Sequence, residues 1–110
     1  MIVSAGFDAA PGHPPALGGY TVSPACFASM TADLLAMLPQ VVLAMEGGYT
    51  GQAVAESVRQ CLKTLLGEPA LGVSRTELER MPSKQAVEDI RKTIANHVSL
   101  YGKILGKNST

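Results

Sequence analysis

Charge is scarce in these 110 residues and cancels out, nine Lys and Arg against nine Asp and Glu. The basic residues are scattered and balanced, which excludes the electrostatic footprint of a nucleic-acid surface. Long apolar runs are missing as well: none approaches the roughly 20 residues that a bilayer-spanning helix needs. Met1 to Phe7 has neither the basic start nor the apolar stretch of a secretory signal. Cysteine is limited to Cys26 and Cys61, with no CxxC and no framework spacing, so reduced, buried thiols of a cytosolic or nuclear protein are expected. There is no internal repeat and no low-complexity segment. The size fits one ordinary domain at most, large enough to hold a core.

What is present is organised around Ile2 to Tyr20, IVSAGFDAAPGHPPALGGY. A short apolar run passes through small residues, delivers Phe7 and Asp8, and gives way to a Gly/Pro loop. An apolar run bounded by turn chemistry reads as a buried strand. A carboxylate directly after it is costly to bury without a partner, and ligands of parallel α/β sheets bind outside the carboxyl ends of the strands.

Ser23-Pro24 then gives an N-cap followed by Pro in the first helical position, and Phe27, Met30, Thr31, Leu34, Met37 and Leu38 follow at helical spacing until Pro39. Val41 to Met45 reads as a second strand covered on both faces. It runs into Glu46-Gly47-Gly48-Tyr49. A helix from about Gly51 to Leu66 should bury Val54, Val58, Cys61, Leu62 and Leu65, with Gly67 as its C-terminal cap. Ser74-Arg75-Thr76-Glu77 fits a capping box, predicting a short helical turn up to Met81. A long helix from about Lys84 to Leu105 carries Val87, Ile90, Ile94, His97, Val98, Tyr101 and Leu105 on an inner stripe, ahead of a polar tail.

The first strand, helix and second strand form a βαβ unit with parallel strands. Asp8 and Tyr49 should therefore lie on one edge of one sheet. From the residues alone, Asp8 is either a ligand or a cap of the glycine loop. Tyr49 is either a cleft-facing phenol or a Tyr covering the sheet edge. Two strands make a poor parallel sheet, so the chain reads as one end of a larger α/β domain. The start at Met1, almost directly in the strand, suits either a compact domain or a piece of a longer chain.

SAGFDA, GHPPALGGY, VSPACF and VLAMEGGY, in that order, resemble the C-terminal part of a zinc-dependent histone deacetylase catalytic domain, with the GHP…LGGY…CF wording most similar to the class IIa subgroup. The resemblance implies an arginase-like parallel α/β fold over residues 1–106 and a disordered tail over 107–110. It implies that Asp8 is a zinc ligand and that the Tyr49 hydroxyl donates to the developing oxyanion. It also places Leu17 in the substrate-channel wall and Gly48 beside the acyl group. Acetylated histone tails or other acetyl-lysine proteins would be the substrates. Corepressor assemblies in transcriptional repression would be the setting, in nucleus and cytoplasm.

Two departures from the family pattern matter. Vertebrate class IIa members carry His after EGG and act weakly on acetyl-lysine, whereas Tyr49 implies a competent parent enzyme. The family's Asp-x-His pair and His-His base pair are absent from these residues. The chain by itself is therefore expected neither to hold zinc tightly nor to deacetylate. Two other readings are a binding module without chemistry and a segment of a polyamine- or acetoin-type deacetylase relative. Of the remaining residues, His13 reads as a loop residue, His97 as a core histidine and Glu46 as a hydrogen-bonding anchor of the glycine turn. Cys26, Cys61, Met30, Met37 and Met45 read as packing.

Overall fold

The computed structural model describes residues 1–105, with side chains through Val98, so the expected tail over 107–110 and the side chains of Tyr101 and Leu105 lie outside the described residues. The chain divides into two units, Met1–Leu78 and Glu79–Thr110. The first unit contains strand β1 (Ile2–Ala5), helix α1 (Pro24–Met37), strand β2 (Val42–Met45), helix α2 (Gly51–Leu65) and the short helix α3 (Arg75–Leu78). A 3-10 turn over Pro15–Leu17 lies in the long loop after β1, where the sequence pattern showed only Gly and Pro. Helix α4 (Lys84–Leu105) belongs to the second unit.

The helix ends follow from their capping residues. Ser23 accepts a hydrogen bond from the Cys26 amide at 3.2 Å and Pro24 occupies the first position of α1. Ser23→Ala is expected to cost about 1 kcal/mol of stability, read from a denaturant melt, because it leaves that amide without its side-chain acceptor. At the other end of α2, Gly67 takes φ 84°. Its N–H donates to the Thr64 carbonyl while Glu68 N–H reaches back to Lys63, the paired bonds of a Schellman motif. The capping box of α3 is reciprocal: Ser74 Oγ accepts from the Glu77 amide and Glu77 Oε2 accepts from the Ser74 amide, both at 3.2 Å.

β1 and β2 pair in parallel, Ile2 opposite Val42 and Ala5 opposite Met45. Paired residues in a parallel ladder share a face, so the pleat sorts the sheet into two sides. Ala5 and Leu43 pack on the core of Phe7, Ala10, Phe27, Val54 and Cys61. Ile2, Ser4, Val42 and Ala44 face away from it, and Ile2 is 80% exposed. The expectation that the second strand is covered on both faces is therefore corrected. An apolar run without alternation marks a strand able to be buried twice, whereas within the first unit only one face meets helices.

Helices α1 and α2 pack against each other over that face. Their buried faces are built largely of small residues: Ala25, Ala28 and Thr31 on α1, Ser57, Cys61 and Thr64 on α2. The buried hydroxyls do not go unpaired, because Thr31, Ser57 and Thr64 each donate to the carbonyl four residues earlier, at 2.8–3.0 Å. That self-sufficiency is what allows polar side chains to occupy a helix contact.

Several expected core positions are not buried. Met30, Met37, Met45 and Leu62 are exposed. Cys26 is half-buried while Cys61 is buried. On α4, Ile90, Ile94 and Val98 are exposed, and His97 is an exposed residue whose Nδ1 lies 2.9 Å from the Thr93 carbonyl, not a core histidine. Periodicity identifies side chains that share a face; it does not supply the surface that would cover it. None of the described helices is long and apolar enough to cross a membrane.

Candidate active-site rim

The parallel register brings the chain out of β1 and β2 side by side, and main-chain bonds then stitch the two exits together. Glu46 N–H donates to the Ala5 carbonyl at 3.1 Å, and Phe7 N–H donates to the Gly47 carbonyl at 2.7 Å. Phe7 turns inward and its ring meets Phe27 at a centroid distance of 5.0 Å. Past Phe7 the chain turns, with Ala10 N–H donating to the Phe7 carbonyl at 3.0 Å, and leaves Asp8 on the rim, half-buried.

The Asp8 carboxylate lies directly over the glycine loop. A Cβ on Gly47 would come within 3.2 Å of Asp8 Cγ and Oδ1, and one on Gly6 within 3.1 Å of Oδ1. A side chain at 47 would therefore press on the carboxylate and require it to give by a few tenths of an ångström. Asp8 makes no hydrogen bond or ion pair among the described residues, so it caps neither loop nor helix. A half-buried carboxylate that its own loop leaves unpaired is suited to a cation, which would offset its desolvation. The described residues contain no group of three or more His, Cys, Asp and Glu able to hold a metal ion. The fit to zinc is therefore that of one oxygen ligand in a set needing three protein ligands.

Gly48 adopts φ 128°, and a Cβ there would stand 2.9 Å from Phe7 Cβ and 3.1 Å from Val54. Only glycine combines that backbone with that close approach. Tyr49 follows it, 75% exposed, at the edge of an open groove of about 500 Å³ that Met45, Gly48, Val54, Val58 and Leu62 also line. Asp8 and Tyr49 thus sit on loops joined by hydrogen bonds at one end of the sheet. Leu17 stands apart from those cross-links, exposed in the 3-10 turn, where its N–H donates to Pro14.

Two residues behave differently from the sequence expectation. Glu46 contributes its amide, not its carboxylate, to the turn, since its exposed side chain has no partner among the described residues. His13 does more than fill the loop: its Nε2 accepts the Tyr49 N–H at 2.9 Å. No local pattern signals that bond, because it joins residues 36 apart. Cys61 is inert by its surroundings, as burial pushes its thiol up despite a hydrogen bond with Thr31.

Fold and rim together define a parallel α/β protein with a free carboxylate past one strand and a phenol past its neighbour. Residues 1–65 match the family model described as the histone deacetylase domain. The chain is 46% identical over 112 residues to histone deacetylase 4 of Caenorhabditis elegans, covering 99% of the chain and 13% of that protein. It is 39% identical over 103 residues to human histone deacetylase 7, covering 93% of the chain and 11% of that protein. Among solved structures it is similar to the HD domain of HDA15, with a TM-score of 0.71 and 29% identity over 96% of the chain and 28% of that one. It is also similar to the histone deacetylase Clr3, with a TM-score of 0.69 and 34% identity over 83% of the chain and 14% of that one. The chain belongs to the histone deacetylase family, of the class IIa kind that its GHPPALGGY wording resembles, and spans a small part of the length of these relatives.

Proposed function

We propose that this chain forms one wall of a zinc-dependent lysine deacetylase site that hydrolyses acetyl-lysine on histone tails and other proteins to lysine and acetate. The observation that carries the proposal is the unpaired Asp8 carboxylate, held over Gly47 on the same rim as Tyr49. Asp8 supplies one oxygen ligand. When bound, zinc supplies Lewis acidity toward the acetyl carbonyl and lowers the pKa of water. The Tyr49 hydroxyl donates to the acetyl oxygen as negative charge develops there. Gly48 leaves room for the acyl group, and Leu17 contributes an apolar stretch of channel wall. The remaining zinc ligands and the general base come from outside these residues, so the chain by itself neither binds zinc tightly nor deacetylates. Protein deacetylation of this kind belongs with corepressor assemblies, transcriptional repression and chromatin regulation, in nucleus and cytoplasm.

The test uses a complete deacetylase domain containing this segment, assayed on a histone-derived acetyl-lysine peptide and on acetylated polyamines. Peptide hydrolysis should be abolished by a chelator and restored by zinc. Preferential turnover of the polyamines would overturn the protein substrate. Calorimetry showing one-to-one, sub-micromolar zinc binding by the 110-residue chain would overturn the shared site.

A further inference from the structure

The loop that presents Tyr49 contains two consecutive glycines, the residues with the greatest backbone freedom. Two successive peptide groups in it are nevertheless pinned. The Gly47 carbonyl, in the peptide joining Gly47 to Gly48, accepts from Phe7 N–H at 2.7 Å. The Tyr49 N–H, in the next peptide, donates to His13 Nε2 at 2.9 Å. The first bond is main chain to main chain and survives most substitutions; the second depends on one side chain.

The other end of the His13 ring is also fixed, with Nδ1 2.8 Å from the Ala10 carbonyl. A carbonyl only accepts and a backbone N–H only donates, so the hydrogen must sit on Nδ1 and the lone pair on Nε2. The two bonds select one tautomer and one ring orientation together. The imidazole is half-buried and meets the Tyr49 ring edge-on, with centroids 6.3 Å apart. Beside it, Thr50 Oγ1 donates to the Gly12 carbonyl at 3.4 Å, a second tie between the same loops.

We propose that His13 is the positioning residue of Tyr49: by holding the peptide between Gly48 and Tyr49 it sets the direction in which the phenol leaves the backbone. The inference rests on the reading of Tyr49 as the hydrogen-bond donor of the deacetylase site, and adds the residue that aims it. His13 acts through the Tyr49 main chain.

Two substitutions separate aiming from ordinary loop packing. Gln places an amide oxygen near the position of Nε2, whereas Asn reproduces only the Nδ1 end. In the zinc-loaded, complete domain, His13→Asn should lower kcat by roughly 10- to 100-fold with KM within about twofold, the pattern of a group misplaced only in the transition state. His13→Gln should stay within about threefold of the parent kcat, because the acceptor is kept. Independently of activity, NMR of the unsubstituted domain should show a through-bond coupling between the Tyr49 amide nitrogen and His13 Nε2. Exchange of the Tyr49 amide should quicken in the Asn variant and not in the Gln variant. Absence of that coupling overturns the proposal even if the variants do not fold. Equal losses in the two variants, or an unchanged kcat in His13→Asn, overturn it as well. A Tyr49→Phe comparison distinguishes the failures. If Phe lowers kcat and His13→Asn does not, only the aiming role falls; if Phe leaves kcat intact, the donor role of Tyr49 falls and takes the aiming role with it.

Discussion

Tyr49→Phe, made in a complete domain containing this segment, is expected to lower kcat on an acetyl-lysine peptide by roughly 10²- to 10³-fold, or about 3–4 kcal/mol of barrier. The substitution removes one hydroxyl and leaves the ring. Tyr49 is 75% exposed, so little folding energy depends on that oxygen. A donor to a developing negative charge acts mainly in the transition state, so KM should move much less than kcat. Zinc content and melting temperature, measured beside the steady-state rates, should match the parent. An unchanged kcat would remove Tyr49 from the chemistry.

The second large effect concerns stability. Phe27→Ala should lower the unfolding free energy by roughly 3–5 kcal/mol, the range for emptying a buried aromatic site. Phe27 is buried and its ring packs on Phe7 at 5.0 Å, at a tilt of 45°. Phe7 immediately precedes Asp8, so the cavity would open beneath the carboxylate's own anchor. A denaturant melt gives the loss directly. Zinc affinity should fall with it in the complete domain, because a ligand is only as well placed as the residue that tethers it. A loss below about 1 kcal/mol would mean that the neighbouring side chains collapse into the gap.

Element order and helix ends were legible in the sequence because their determinants are local. Ser23-Pro24, Gly67 and the Ser74–Glu77 box each act within a few residues, and each forms the bonds its composition predicts. The parallel pairing that puts Asp8 and Tyr49 on one rim was legible too, since it follows from strand-helix-strand order. Burial was less so. Met37, Leu62 and Ile94 occupy apolar stripes yet are exposed, because a stripe is a property of one helix and a buried contact is a property of two surfaces. The same reasoning explains why Ser57 and Thr64, polar by type, lie inside: close helix packing selects for size, and their own helix satisfies their hydroxyls. In the sequence His13 looks like an ordinary loop residue because its partner is remote; only the folded loops bring them together.

The two-residue repeat of β1 has a consequence for how this segment can change over time. Ala5 and Phe7 face the core together because side chains two apart on extended backbone share a side, and the chain turns only after Phe7. Loss or gain of a single residue between Ile2 and Gly6 would put Phe7 out of step with the rest of β1 and turn its phenyl ring away from Phe27. Length changes are thereby confined to the Pro/Gly stretch that follows, and even there His13 must still reach Tyr49. Drift in this part of the chain should proceed by replacement of side chains, hardly at all by insertion or deletion.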